Sequence, residues 1–112
     1  MDVKGKNIIV TGGSLGIGKE TAKSLVEKGA NVLITGRSEE RLQNAKLYTN
    51  AEILEFDIAD FDNLTQNAKK CLEILDNRVD VLINNAGIGV RASVEELNID
   101  DFLKVFNVNV FG

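Results

Sequence analysis

Histidine is absent from this sequence of 112 residues, and cysteine occurs once, at Cys71. Without histidine, serine–histidine and cysteine–histidine catalysis are excluded and the commonest zinc ligand is missing, so we expect no metal site. A single cysteine permits no internal disulfide and fits a reducing compartment, so we expect a cytoplasmic location. No long apolar run is present and Met1–Asn7 is largely polar. Neither a membrane span nor a signal peptide is therefore predicted.

A concentration of charge of one sign is also missing. The sequence has 13 basic and 17 acidic residues, a net charge of −4, and neither sign forms a run. A nucleic-acid-binding face needs a basic stripe, so no nucleic-acid partner is expected. The length fits a single domain, and a hydrophobic content of 44% is enough to form a core.

What the sequence does contain is an alternation of apolar runs and helical patterns. β-branched and aliphatic runs, typical of strands in a parallel sheet, predict strands at Asn7–Val10, Asn31–Thr35, Ala51–Phe56 and Val79–Ile83. Helical spacing and capping residues predict helices at Ile17–Lys28, Ser38–Leu47 with Ser38 as N-cap, Phe61–Leu75 capped by Asp60, a short turn at Ser93–Glu96, and a last helix capped by Asn98. This order predicts an α/β fold with a doubly wound parallel sheet.

The last predicted helix is still in register at Val110, and the chain stops two residues later at Gly112. We therefore expect a sheet that is truncated after four strands. Strand Val79–Ile83 would then be an apolar edge, because its outer neighbour would come from sequence beyond Gly112. An unpaired edge favours pairing between chains, so self-association or a homo-oligomer is expected.

The segment Thr11–Gly18 joins the first strand to the first helix and has glycine at positions 12, 13, 16 and 18. Gly12 allows a sharp turn off the strand, Gly16 allows a ligand to approach the backbone, and Gly18 allows the helix to pack closely on the strand. The freed N–H groups and the helix N-terminus then face one point, which suits a pyrophosphate. The alternative interpretation is a glycine-rich turn that binds no ligand.

Thr11-Gly-x-x-x-Gly16-x-Gly18 together with Asn84-Asn85-Ala86-Gly87 resembles the short-chain dehydrogenase/reductase family over essentially the whole chain. The resemblance implies a Rossmann-type dinucleotide-binding domain over residues 1–112. It implies cofactor contacts from Thr11, Gly12, Ser14, Leu15, Gly16, Ile17 and Gly18 in the glycine segment, from Asp57 and Ile58 at the adenine, and from Asn84, Ala86 and Gly87 at a ribose. The alternatives are a loop-starting aspartate at position 57 and a plain turn after the fourth strand.

The end of the second strand indicates which dinucleotide is preferred. Gly36 stands where relatives that prefer NAD usually carry an aspartate, and Arg37 and Ser38 follow. A guanidinium suits a 2′-phosphate, so the resemblance implies NADP, with NAD the less favoured cofactor. Many relatives that prefer NADP have a second basic residue in the glycine segment, whereas this chain has Ser14 and Leu15 there. Arg37 is also open to interpretation as a solvated residue at the start of a surface helix.

Asn109 matches the catalytic asparagine of the family, which helps to hold a proton-relay water, although it is also open to interpretation as part of a fraying helix end. The family's serine and Tyr-x-x-x-Lys have no counterpart, since the only tyrosine, Tyr48, is followed four residues later by Glu52. The resemblance thus implies the NADP(H)-binding part of an oxidoreductase that acts on a small carbonyl or alcohol, with no turnover expected from residues 1–112 alone. The alternative is a stand-alone dinucleotide-binding or chain-complementing module without catalysis.

Overall fold

The computed structural model describes residues 2–14, 16–57, 61–84 and 90–93, with Phe61, Asn84 and residues 90–93 described by their backbone alone. These residues form strands β1 to β5, at Asn7–Thr11, Asn31–Gly36, Glu52–Glu55, Val81–Asn84 and Val90–Ser93. The α-helices are α1 Gly16–Glu27, α2 Glu39–Thr49 and α3 Leu64–Ile74, the last preceded by a 3-10 turn at Phe61–Asn63. The four predicted strands and the first three predicted helices are confirmed, with ends that shift by three residues at most.

The strands form one sheet in the order β3-β2-β1-β4-β5, and β1 to β4 are parallel. β1 therefore lies between β2 and β4. The chain runs from β1 to β2 and β3 on one side of the sheet and then returns to β4 on the other side of β1, so the strand order reverses at β1. Thr11 is in register with Thr35 of β2 and with Asn84 of β4, so these three strands end together. In open α/β sheets, ligands bind outside the carboxyl ends of the strands at such a reversal.

The strand β5 corrects one prediction. β4 is not a bare edge, because β5 pairs with it antiparallel, from Val81↔Ser93 to Asn84↔Val90. A nearby segment of the same chain satisfies the edge of β4, since an antiparallel return needs only a short connection. The prediction that a helical turn begins at Ser93 is also wrong for Ser93 itself, which is the last residue of β5. Strand pairing overrides the local capping pattern there. The argument for self-association through this edge no longer applies. Asp60, residues 94–96 and the predicted helix after Asn98 lie outside the described residues.

Each face of the sheet packs against its own hydrophobic cluster, because successive strand residues point to opposite faces. One cluster lies beneath α3 and includes Ile9, Leu33, Phe56, Leu64, Ala68, Cys71, Leu72 and Leu82. The other lies beneath α1 and α2 and includes Ile8, Val10, Ala22, Ile34, Leu42, Ala45 and Val81. Burial on both faces explains why the strands are nearly continuous apolar runs. No helix of the described residues is long and apolar enough to cross a membrane.

The N-terminus of α2 is the clearest case of a local signal that the structure confirms. Ser38 is its N-cap, in extended conformation, and its Oγ accepts a hydrogen bond from the backbone N–H of Arg41 at 3.3 Å. Glu39 and Glu40 follow in the first turn, where the helix dipole favours acidic residues. The helix ends at a left-handed Asn50, with φ of 63°.

The amino ends of the strands are held together by a buried asparagine. The Asn7 side chain is 5% exposed, and its Nδ2 donates to the carbonyl oxygens of Leu75 at 2.8 Å and Arg78 at 2.9 Å. Its Oδ1 accepts from Asn31 Nδ2 at 3.0 Å. The Asn7 backbone N–H donates to Asp80 Oδ2 at 2.8 Å. This one amide therefore joins β1 to β2 and to the turn between α3 and β4.

Replacing Asn7 with Asp keeps the shape of the side chain but points a carboxylate at two carbonyl oxygens. We expect the free energy of unfolding at pH 7 to fall by about 1–3 kcal/mol, because a buried acceptor is left without a donor. The pKa of the introduced carboxyl would be raised in the folded state, so the destabilisation is largest at neutral pH and shrinks as the pH falls toward the unfolded pKa of about 3.9.

Urea unfolding at pH 7 and pH 4.5 measures this effect. Asn44→Asp, on the exposed face of α2, is the control and should change the unfolding free energy by less than about 0.5 kcal/mol. A variant at Asn7 that is as stable as wild type at pH 7 would contradict the arrangement of hydrogen bonds.

Candidate dinucleotide site

The glycine turn between β1 and α1 has the backbone that its sequence predicts. Gly12 has φ of 64° and Gly16 has φ of 57°, both in the left-handed region that favours glycine. The Gly12 N–H donates to the Thr35 carbonyl oxygen at 2.9 Å, so the turn is attached to the end of β2. Gly18 is buried on α1, together with Ala22. The predicted roles of Gly12 and Gly18 as a sharp turn and a close packing contact therefore agree with this geometry.

The start of α1 faces open space. A Cβ placed on Gly16 would have no atom within 4 Å, and the neighbouring Ile17 side chain is 79% exposed. The first turn of α1 contains no acidic residue, so the positive end of the helix dipole is not compensated from within the helix. This is the arrangement that a pyrophosphate requires: free room, backbone donors and a positive potential.

The end of β2 lies directly beside this turn. A Cβ on Gly36 would lie 3.5 Å from Ser14 Oγ and 3.4 Å from Leu42 Cδ2. Ser14 of the turn and Gly36 are thus neighbours. Arg37 follows Gly36, and its exposed side chain forms no hydrogen bond or ion pair with the rest of the described chain. The guanidinium is free to bind an anion. Ser38 caps α2 through its oxygen, which leaves its hydroxyl hydrogen to donate elsewhere.

The end of β3 completes the same edge of the sheet. The Phe56 N–H donates to the Gly36 carbonyl oxygen at 2.9 Å, which places the exposed Asp57 immediately after the contact between β3 and β2. On the other side, Thr11 Oγ1 donates to the Ile83 carbonyl oxygen at 3.4 Å and links β1 to β4. The predicted residues Thr11, Ser14, Gly36, Arg37 and Asp57 therefore follow the carboxyl edge of neighbouring strands.

Five predicted site residues are not placed by this structure. Leu15, Ile58, Ala86, Gly87 and Asn109 lie outside the described residues, and Asn84 is described only as the last residue of β4. Their roles remain predictions of the sequence.

Two residues at this edge were not singled out by the sequence. Gly13 is buried, and a Cβ on it would lie only 2.9 Å from Ile34 Cγ2. The two consecutive glycines, Gly12 and Gly13, were the sequence feature that could have indicated this close contact. Thr35 is 1% exposed, and its Oγ1 is the buried side-chain oxygen in the described chain that has no hydrogen-bond partner. Threonine is common in strands, so no local signal distinguishes it.

Other reactive side chains are held in structural positions. Burial raises the pKa of the Cys71 thiol to about 12, so it is a neutral core residue and not a nucleophile. The Tyr48 hydroxyl donates to Glu20 Oε1 at 2.8 Å, and the ammonium nitrogens of Lys19 and Lys23 lie 4.9 and 4.2 Å from its ring centre. Tyr48 thereby joins α2 to α1. Within the described part of the chain, no group of three or more cysteine or acidic side chains is arranged to hold a metal ion.

Comparison with known proteins identifies the relatives of this chain. The family model described as short chain dehydrogenase matches residues 6–112. A fatty acyl-CoA reductase of Acinetobacter baylyi is 36% identical over 99% of this chain, which covers 40% of that protein. An L-rhamnose 1-dehydrogenase (NADP(+)) of Thermoplasma acidophilum is 36% identical over 98% of this chain, which covers 45% of it.

Solved structures give the same result. A short chain dehydrogenase from Shigella flexneri, complexed with NADP, is similar with a TM-score of 0.68 and 30% identity. The similarity covers 78% of this chain and 40% of that one. The chain therefore spans less than half the length of these relatives.

Thr35→Val tests whether the hydroxyl of Thr35 lacks a partner in solution. Valine has nearly the same shape, so we expect the free energy of unfolding to rise by about 1 kcal/mol when the unsatisfied hydroxyl is removed. The control is Thr49→Val, because the buried Thr49 Oγ1 donates to the Ala45 carbonyl at 2.7 Å and accepts from the Ala51 N–H at 3.1 Å. This control should lose stability in the same urea titration. Equal losses from both variants would show that Thr35 is hydrogen-bonded.

Proposed function

Since this chain belongs to the short chain dehydrogenase family, we propose that it is the NADP(H)-binding part of an oxidoreductase. The observation that carries the proposal is the pair of left-handed glycines before and at the start of α1, whose first turn has no acidic residue, next to Arg37, which has no partner among the described residues. One relative carries NADP(+) in its name and one solved structure is complexed with NADP, which supports the same assignment.

The pyrophosphate of the dinucleotide would be held by the turn and the start of α1. Gly12 directs the chain sharply off β1, and the open space at Gly16 lets the phosphates reach the backbone N–H groups. Ile17, exposed beside this space, would be covered by the ligand, and Leu15 belongs to the same proposed contact set. Because α1 has no acid in its first turn, nothing in that turn repels the negative charge.

The ribose that carries the 2′-phosphate would lie at the end of β2. Gly36 brings no carboxylate to this position, and the Arg37 guanidinium supplies a lasting positive charge with paired donors. The hydroxyls of Ser14 and Ser38 add hydrogen-bonding groups on either side. Asp57, with Ile58, would contact the adenine. These groups favour NADP over NAD.

The nicotinamide end would involve Asn84, Ala86 and Gly87, with Asn109 near the reacting atoms. When bound, the cofactor would donate a hydride to the carbon of a small carbonyl in its reduced form, or accept one from the carbon of a small alcohol in its oxidised form. In the family, a tyrosine whose pKa is lowered by a lysine acts as the general acid or base, and a serine polarises the carbonyl. The 112 residues contain no Tyr-x-x-x-Lys. We therefore propose that residues 1–112 alone do not turn over a substrate. We also propose a cytoplasmic location, because a single cysteine fits a reducing compartment.

Gly16→Val tests the pyrophosphate site. Valine is strained at a φ of 57°, and its side chain would fill the space that the phosphates need, so NADPH binding should become undetectable by calorimetry. Gly5→Val is a matched control: Gly5 has φ of 75°, also has no atom within 4 Å of an added Cβ, and lies before β1 at the opposite edge of the sheet. The control should lose comparable stability but keep NADPH affinity. Equal NADPH affinity of the two variants would show that the glycine turn is not part of the NADPH site.

Arg37→Ala tests the cofactor preference. It should weaken NADPH binding by about 1–3 kcal/mol, roughly 5- to 150-fold, and leave NADH binding nearly unchanged, because only NADPH carries the 2′-phosphate. Lys46→Ala removes an exposed charge from the last turn of α2 and should change neither affinity much. The double variant Gly36→Asp with Arg37→Ala should prefer NADH. If the wild-type protein binds NADH as tightly as NADPH, Arg37 does not bind the 2′-phosphate.

A further inference from the structure

A cavity lies at the amino edge of the sheet, opposite the edge of the proposed cofactor site. Its volume is about 340 Å³, within the range of pockets that hold small organic molecules. It lies where strands begin and helices end: Asn7, Asn31 and Glu52 are the first residues of β1, β2 and β3, Asn50 caps the end of α2, and Asp76 follows α3. The proposed NADP(H) binding makes no use of this cavity.

The hydrogen-bond donors that line the cavity are largely used within the fold. Asn7 Nδ2 donates to the carbonyl oxygens of Leu75 and Arg78, and Asn31 Nδ2 donates to Asn7 Oδ1 at 3.0 Å. The backbone N–H groups of Asn31 and Asn50 also donate to carbonyl oxygens, each at 2.8 Å. A ligand that presents only acceptors would therefore find few partners here.

The acceptors, in contrast, are not used. The Glu52 and Asp76 carboxylates are exposed and form no hydrogen bond or ion pair within the described chain, and Asn31 Oδ1 accepts no hydrogen bond there. None of the described residues that line the cavity is basic. Arg78, the next basic residue after Asp76, is paired with Asp80 at 3.2 Å. The cavity thus offers acceptors and negative charge.

The ends of the helices favour the same kind of ligand. α1 and α3 both end at this edge, and neither has a basic residue in its last turn, so the negative ends of their dipoles favour a cation. Val26, Val32 and Ile74 add an apolar part to the lining, and the Ile74 side chain is 39% exposed. Acidic side chains in the described chain are too sparse to hold a metal ion. An organic cation with an aliphatic part fits this surface.

We propose that this cavity binds a short aliphatic diamine, with one ammonium group at Glu52, the other at Asp76, and the methylene chain against Val32 and Ile74. An ammonium group has three donors and no acceptor, which matches the unused acceptors of the lining. The two carboxylates belong to different elements, β3 and the turn after α3, so a ligand with two ammonium groups can engage both. This inference goes beyond the proposed NADP(H) binding and does not rest on it.

The test is a titration of the isotopically labelled chain with 1,4-diaminobutane, followed by NMR. We expect saturable shifts of the backbone amide signals of Asn50, Glu52 and Asp76, and no shifts at Gly12 and Arg37 on the opposite edge. Butylamine has one ammonium group and should bind about two- to fivefold more weakly, the effect of one lost ion pair at a partly exposed position. Added salt should weaken the binding of both amines.

Charge-removing variants identify the two carboxylates. Glu52→Gln and Asp76→Asn keep the shape of the side chain, and asparagine tolerates the left-handed φ of 54° at position 76. Each should raise the Kd of 1,4-diaminobutane about two- to fivefold, and the double variant should raise it about tenfold. Glu55→Gln is the matched control, because Glu55 is an exposed glutamate at the other end of β3. Its Kd should equal that of wild type.

Any of four results would overturn the inference: no saturable shift at these amides, equal affinity for the diamine and butylamine, wild-type affinity in the double variant, or the same shifts with sodium chloride at equal ionic strength. The last result would show screening of surface charge and no site. NADPH binding is measured in a separate titration and follows the signals of the opposite edge. A failure of the proposed function is therefore distinguishable from a failure of this inference.

Discussion

Parallel pairing of β1 with both β2 and β4 determines where everything else in this structure lies. Thr11 is in register with Thr35 on one side and with Asn84 on the other, so three strands end at one level. Parallel neighbours need crossover helices, and these cover both faces of the sheet. The central strands β1 and β2 are accordingly buried along nearly their whole length, whereas β3, at the end of the sheet, has exposed glutamates at both of its ends. Polar residues are left for the two edges where strands begin and end, and these edges have different roles.

At the amino edge, polar residues hold the fold together. Asn7 is buried and has protein partners for both of its amide hydrogens and for its oxygen. Arg78 supports the same region, since its Nε lies 3.2 Å from Asp80 Oδ2 and its Nη2 donates to the Gly5 carbonyl at 2.9 Å. Buried amides with complete hydrogen bonding stabilise one arrangement of the elements, because each alternative leaves a polar atom unsatisfied.

At the carboxyl edge, polar groups are left available. Arg37 is exposed without a protein partner in the described chain, and the start of α1 has no acid to offset its dipole. Thr35 even buries a hydroxyl without a hydrogen bond. A buried hydroxyl without a hydrogen bond lowers the stability of the fold, and such atoms call for an explanation that a ligand site can provide. Gly13 packs tightly on Ile34 and fixes the turn against β2 at this edge.

Much of this architecture follows from local sequence. Three of the four parallel strands, β1, β2 and β4, are visible as nearly continuous apolar runs because burial on both faces selects the same residue types at successive positions. Ser38 was recognisable as an N-cap, and Gly12 as a residue with an unusual backbone angle, because backbone geometry of this kind restricts the residue at its own position. The left-handed angle of Gly16 was not predicted. The glycine segment follows β1 and Arg37 follows β2, and the carboxyl ends of parallel neighbours lie at one edge of the sheet.

What the sequence alone did not determine depends on partners that are distant along the chain. β5 was not predicted, and its last residue, Ser93, was expected to begin a helical turn; the unpaired backbone of β4 favours a strand there. The role of Asn7 depends on carbonyl groups about 70 residues away, and that of Gly13 on the branched side chain of Ile34 in another strand. Local patterns record the backbone angle and burial of each residue, whereas only tertiary packing decides which atoms meet across the sheet.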